Sequence, residues 1–243
     1  MTETVPSNMT LTRALVTSVL FVLLLWWIRL AETLFGWDLS PLGVAPREWS
    51  GLIGVFTAPL VHGSWEHLVA NTPSLVLLGT ALLYGYPRAS RAVIPAIWLG
   101  SGLGVWLFAR ASFHIGASGL THGFMFFLFI VGLIRRDRRS IVLAMLTFFL
   151  YGGMVWGIFP QQDPLISFEY HFTGALMGII SAFTLRGVDP KPPEKRYSWE
   201  EEPPDAEDPV IGDLWKRKTP PPPEALENTD EFPLHGDDEE RWH

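Results

Sequence analysis

IGASGLTHGFMFFLFIVGLI, residues 115–134, contains no Asp, Glu, Lys or Arg and runs directly into Arg135-Arg136-Asp137-Arg138-Arg139. A bilayer core about 30 Å thick is crossed by roughly 20 mostly apolar helical residues. A basic cluster at the end of such a run marks the face of the membrane that retains Lys and Arg. The stretch therefore predicts an all-α integral membrane protein. Five further runs agree with it: residues 11–34, 67–86, 92–108, 140–159 and 166–185. Gly and Pro recur inside them, as membrane helices tolerate. The expected architecture is a six-helix bundle over residues 11–186, preceded by a short N-terminus, residues 1–10.

Charge orients the bundle. Arg88 and Arg91 lie between the second and third runs, the Arg135–Arg139 cluster between the fourth and fifth, and Arg186, Lys191, Lys195 and Arg196 at or beyond the end of the sixth. The alternate loops are poor in bases: residues 161–167 hold none, and residues 37–61 hold only Arg47. Both termini are thus expected on the cytoplasmic side of a bacterial plasma membrane. The first run lacks a following small-residue cleavage site and reads as a retained anchor. Residues 37–61, with Trp37, Pro41, Pro46 and Trp49, are long for a structureless connection and predict a folded, partly interfacial element.

The net charge of −7 belongs to the end of the chain: eight of the twenty-five acidic residues lie in 1–186, which leaves seventeen in 187–243. That segment also carries Pro220-Pro221-Pro222-Pro223 and Asp237-Asp238-Glu239-Glu240. Such composition buries too little apolar surface to fold alone, so a disordered cytoplasmic tail is expected, with a tail-binding partner left open. The absence of cysteine excludes disulfides, thiol catalysis and cysteine-ligated metal.

Polar side chains inside hydrocarbon are functional candidates. Ser118 in Gly116-Ala117-Ser118-Gly119, His171, and the i, i+4 pair His67 and Asn71 all enter from the same face. With a rise of 1.5 Å per residue they fall at similar depth. Gly116, Gly119 and Gly123 line the fourth helix. Gly174 and Gly178 share a face with His171, and such small-residue faces bring helices close. A lone Ser, His or Asn in a membrane helix usually makes a packing or interhelical hydrogen bond. One hydroxyl, one imidazole and two donors at matched depth on three helices point instead to chemistry. Gly-x-Ser-x-Gly is not met, since Leu120 stands at the last position, and Glu66-His67 is not followed by a second His at the zinc-protease spacing. His62, His67, His114, His122 and His171 show no diagnostic metal spacing, and no metal, cofactor or nucleic-acid partner is expected.

These residues resemble the rhomboid family of intramembrane serine proteases. The resemblance rests on His62-Gly63-Ser64-Trp65-Glu66-His67-Leu68-Val69-Ala70-Asn71, on Gly116-Ala117-Ser118-Gly119, and on Tyr170-His171-Phe172-Thr173-Gly174 with Gly178. It implies Ser118 as nucleophile and His171 as general base, a dyad without a carboxylate. His67, Asn71 and the Ser118 amide would form the oxyanion hole, with Gly116, Gly119, His62, His122, Gly174 and Gly178 in support. It also implies transmembrane proteins as substrates, met within the lipid bilayer. Family members often carry, one turn after the nucleophile, a Tyr that stacks on the catalytic imidazole; this chain departs from that pattern with His122, which leaves open how His171 is held. A second titratable ring there is expected to sharpen the pH dependence near neutrality. Glu169, two residues before His171, points about 200° away around the helix and is a poor third member. Two other readings remain: an inactive protein of the same fold that binds client helices, and a His-lined proton or metal conductor.

Overall fold

In a computed structural model, residues 9–160, 163 and 166–192 are described. The chain forms α1 (Leu11–Phe35), a one-turn α2 (Gly54–Thr57), α3 (Trp65–Gly85), α4 (Ser90–Phe108), α5 (Ser118–Arg135), α6 (Arg138–Tyr151) and α7 (Phe168–Leu185). Among the described residues the sole β contact is an isolated bridge between Val44 and His114. Helix starts follow local chemistry. Thr10, Ser64, Asp137 and Ser167 each accept an N–H of the first turn with a side-chain oxygen, which satisfies donors that a helix leaves unpaired. α1 stops at Gly36, whose φ of 67° closes the last turn.

Among the described residues, five segments are long and apolar enough to cross a membrane: α1, α3, α4, α5 and the continuous stretch Arg138–Ile158. The sixth expected run forms α7, 18 residues long, which carries Glu169 and His171 in its first turns and is not among these five. The protein is thus a multi-pass, all-helical membrane protein. The fifth run is not one helix: α6 ends at Tyr151 and tightens into a 3-10 segment, Gly152–Ile158. Gly152 and Gly153 favour that break, since glycine weakens helices. The fourth run also begins later than expected. Ile115, Gly116 and Ala117 precede α5, so Ser118 is its first residue rather than a few residues inside it.

α5 is the central helix. It packs against α3, α4, α6 and α7, and 72% of its spanning window is buried, against 11% for the α6 stretch. Phe127, Leu128 and Val131 on α5 meet Leu75, Leu78 and Leu82 of α3 in the main apolar cluster. α7 lies flush on α5: a Cβ on Gly174 would overlap the Gly119 carbonyl, and one on Gly178 the Gly123 carbonyl. The expected glycine faces thus meet each other. Hydrocarbon is as apolar as the core, so this close fit rather than hydrophobicity drives such pairing.

The connection from α1 to α3 is folded, as its length suggested. Besides α2 it holds 3-10 turns at Ser40–Leu42, Trp49–Ile53 and Ala58–Leu60. Trp106 Nε1 donates to the Glu48 carbonyl at 2.8 Å and Trp98 Nε1 to the Phe56 carbonyl at 3.1 Å, tying the connection to α4. At the far end of α5, Arg135 is 5% exposed. Its Nη1 donates to the carbonyls of Arg186 and Asp189 at 2.6 and 2.7 Å, and its Nε to Asp137 at 3.0 Å. The Asp189 carboxylate in turn accepts from the amides of Arg88 and Ala89 at 3.0 and 2.8 Å, just before α4. Packing therefore continues past Arg186, within the first residues assigned to the tail. From Pro193 onward, the expectation of disorder lies outside the described residues.

Candidate active site

Ser118 opens α5, where backbone N–H groups are unpaired and the helix dipole favours developing negative charge. Its carbonyl accepts from Thr121 Oγ1 at 2.9 Å and from His122 Nδ1 at 2.8 Å. The His122 ring lies flat on His171, with centroids 4.0 Å apart and planes 10° from parallel. One imidazole therefore touches the main chain of the candidate nucleophile and the face of the candidate base. Because Nδ1 of His122 is the donor, its Nε2 is a lone pair, and that buried atom has no hydrogen-bond partner.

His171 is the fourth residue of α7, close to the depth expected. Its Nδ1 donates to the Gly157 carbonyl at 2.9 Å. The other nitrogen, Nε2, is then the one with a lone pair, the state a general base requires. Gly157 was not among the residues singled out from sequence. Its only signal there is a glycine among several in the fifth run, and the atom that makes the contact belongs to the backbone.

His67 packs its ring against Gly116, whose φ is 108°. A side chain at 116 would be strained by that backbone and would collide with the His67 ring. Asn71 is buried and donates Nδ2 to the His67 carbonyl at 3.0 Å, one turn back. This bond engages one of its two amide protons and leaves the other. His62 packs edge-on against His67 with centroids 5.1 Å apart, and its Nε2 accepts the amide of Ala117 at 3.4 Å. Burial first, then the neighbouring His67, push His62 down to about 3, so it stays a neutral acceptor beneath the turn that precedes Ser118.

The start of α7 is fixed from the loop before α5. His114 Nε2 donates to the Arg110 carbonyl at 3.0 Å, and its Nδ1 lies 2.6 Å from the Ser167 hydroxyl. Burial lowers the pKa of His114, and the neutral ring then accepts the Ser167 proton. Glu169 faces Arg110, with 3.6 Å between Oε1 and Nη1. It is engaged away from His171, in line with its helical angle. Tyr170, fully buried, lies against Gly119, where a Cβ would come within 2.7 Å of the ring.

A family model described as Rhomboid domain matches residues 49–188. An uncharacterized protein of Mycobacterium tuberculosis is 38% identical over 184 residues, covering 72% of this chain and 76% of its own. One of Mycobacterium leprae is 32% identical over 184 residues, covering 72% and 73%. The span matched by the family model holds every candidate residue named above.

Proposed function

Since this chain belongs to the rhomboid family, a family of intramembrane serine proteases in general, we propose that it is an endopeptidase that cleaves transmembrane or juxtamembrane segments of membrane proteins. Ser118 is the nucleophile and His171 the general base. The observation that carries this reading is the His122 ring, which hydrogen-bonds the Ser118 carbonyl while stacking on His171. The ring thus lies between the main chain of the nucleophile and the face of the base, at a helix N-terminus, which favours an oxyanion.

In the reaction, Nε2 of His171 takes the proton of Ser118 Oγ as Oγ bonds to the scissile carbonyl carbon. His67, the free amide proton of Asn71 and the Ser118 N–H stabilise the oxyanion. The imidazolium then gives its proton to the leaving amine, and the peptide bond breaks. Water attacks the acyl-enzyme with His171 again as base. Gly116 and Gly119 let His67 and α7 approach the nucleophile, Gly174 and Gly178 do the same from α7, and His62 holds the preceding turn.

α7 is the sixth span in this reading. Its polar first turns face the α4–α5 loop, and the remainder packs between α4 and α5. The basic loops face the cytoplasm of a bacterial cell, and both termini lie on that side. The test is cleavage of a membrane-segment substrate by detergent-purified protein, compared with Ser118→Ala and His171→Ala. Both variants are expected to be inactive, and a serine-directed fluorophosphonate is expected to label only proteins that keep Ser118. Equal cleavage by all three would overturn the assignment. Absence of both cleavage and labelling would favour a protein that only binds client helices.

A further inference from the structure

A base that lacks a carboxylate partner still needs its tautomer fixed and its ring held. In a triad the acidic member does both, and replacing it by a group that sets the wrong tautomer costs about 10⁴-fold in rate. Here Glu169 is turned to Arg110, and the Nδ1 proton of His171 is received by the Gly157 carbonyl at 2.9 Å. We propose that Gly157, acting through this carbonyl, is the positioning residue of His171 and takes the place of the missing acid. The inference rests on His171 being the base.

Three observations converge. First, Gly157 stands in the last turn of the 3-10 segment Gly152–Ile158. Carbonyls at the end of a helix lack intrahelical partners and carry partial negative charge. Such a carbonyl is suited to the Nδ1–H of a ring that becomes an imidazolium when Ser118 loses its proton. Second, a side chain at this position would crowd both rings. A Cβ at 157 would come within 2.8 Å of His122 Nε2 and 3.2 Å of His171 Nδ1, so any side chain pushes the carbonyl or the two stacked rings out of place. Third, His122 is set in the same manner, its Nδ1–H donated to the Ser118 carbonyl. Both rings are thus held as Nδ1–H tautomers by backbone carbonyls from two different elements. During transfer the proton of Ser118 Oγ moves to Nε2, and the Nδ1 proton stays on the ring, shared with Gly157. The active site then needs the fifth apolar segment as well as α3, α5 and α7, although that segment contributes none of the residues read as catalytic.

The test uses the full-length protein in micelles with Ile158 replaced by its α-hydroxy acid. The resulting ester weakens the Gly157 carbonyl as an acceptor and leaves every side chain in place. A matched ester one linkage earlier, glycolic acid at position 157, weakens the Trp156 carbonyl instead, which accepts from Phe159 at 3.4 Å and not from His171. The expected result is a drop of about tenfold in kcat for the Ile158 ester, the size of one net hydrogen bond, with KM within about twofold. The matched ester is expected to stay within about twofold of the parent. ¹⁵N spectra of ring-labelled histidine are expected to show His171 protonated at Nδ1 in the parent and as mixed tautomers in the Ile158 ester. Equal losses from both esters, or an unchanged kcat and His171 spectrum in the Ile158 ester, would overturn the proposal. Wild type and Ser118→Ala run beside them separate the two readings. Without serine-dependent cleavage the protease assignment falls, while the spectra still decide whether Gly157 sets the His171 tautomer.

Discussion

The two ends of α5 solve opposite problems with buried polar groups. At one end Arg135 donates to two carbonyls, a carboxylate and a hydroxyl, and Asp189 receives two amides before α4. Burial pushes the Asp137 carboxyl up, yet the hydrogen bonds from Ser140 and Arg135 outweigh it and hold it below the ordinary carboxylate value. At the other end, around Ser118, an imidazole nitrogen is left without a partner and histidines are held by backbone carbonyls. The Arg135 end is arranged to fix helices. Each end also holds a buried nitrogen without a hydrogen-bond partner, Arg135 Nη2 at one and His122 Nε2 at the other. The first is a donor on a guanidinium whose other nitrogens are bonded, the second an acceptor lone pair beside Ser118.

Removing Ser118 or His171 is expected to separate activity from stability most completely. Ser118→Ala and His171→Ala are expected to lose at least about 10⁴-fold in kcat, with thermal midpoints close to wild type, measured by cleavage and by melting in detergent. Arg135→Ala should do the reverse. Removing one partner of a buried charge network costs about 3 kcal/mol, so the melting midpoint should fall steeply, whereas any surviving folded protein keeps its KM. An unchanged midpoint would erase the difference between the ends.

Gly116→Ala strains a φ of 108° and drives a methyl into the His67 ring. A loss of about a hundredfold in kcat is expected, the scale of one misplaced oxyanion donor. His122→Phe keeps a flat ring on His171 and His122→Ala does not, so the first is expected to stay within a few-fold of wild type and the second to fall about tenfold, the scale of one aromatic contact. Equal losses in the two would mean that the hydrogen bond to Ser118, not the stack, matters. The smallest effect concerns pH. His62 titrates near 6.5 in the unfolded chain and at about 3 in the folded one. The unfolded state therefore binds the extra proton in between, and this share of stability is complete above pH 6.5 and lost as pH falls toward 3. Between pH 6.5 and 5.5 it amounts to about 1 kcal/mol at most. His62→Gln, which keeps an acceptor for Ala117, should flatten the melting midpoint over that interval.

The candidate residues on side chains were legible from sequence because residue type and helical phase carry them: Ser118, His171, His67, Asn71 and the ring at His122. The glycine faces were legible for the same reason, and Gly174 and Gly119 do meet. Less legible was anything done by main chain. Nothing in the identity of residue 157 announces that its carbonyl accepts from His171, and nothing in Asp189 announces that it caps a helix one hundred positions earlier. The break at Tyr151 was missed because an apolar count does not distinguish an α-helix from a 3-10 continuation.

The sequence by itself determined that this protein lives in a membrane, where its long apolar runs fall and which loops carry the bases, because hydrocarbon excludes charge residue by residue. Only the tertiary structure decided that α5 is the central helix and α6 the outlying one. Lipid is as apolar as a protein core, so a leucine reads the same whether it faces a neighbour or a fatty acyl chain. Tautomers, too, were settled only there, since an imidazole is given its proton position by whichever carbonyl the fold brings to it.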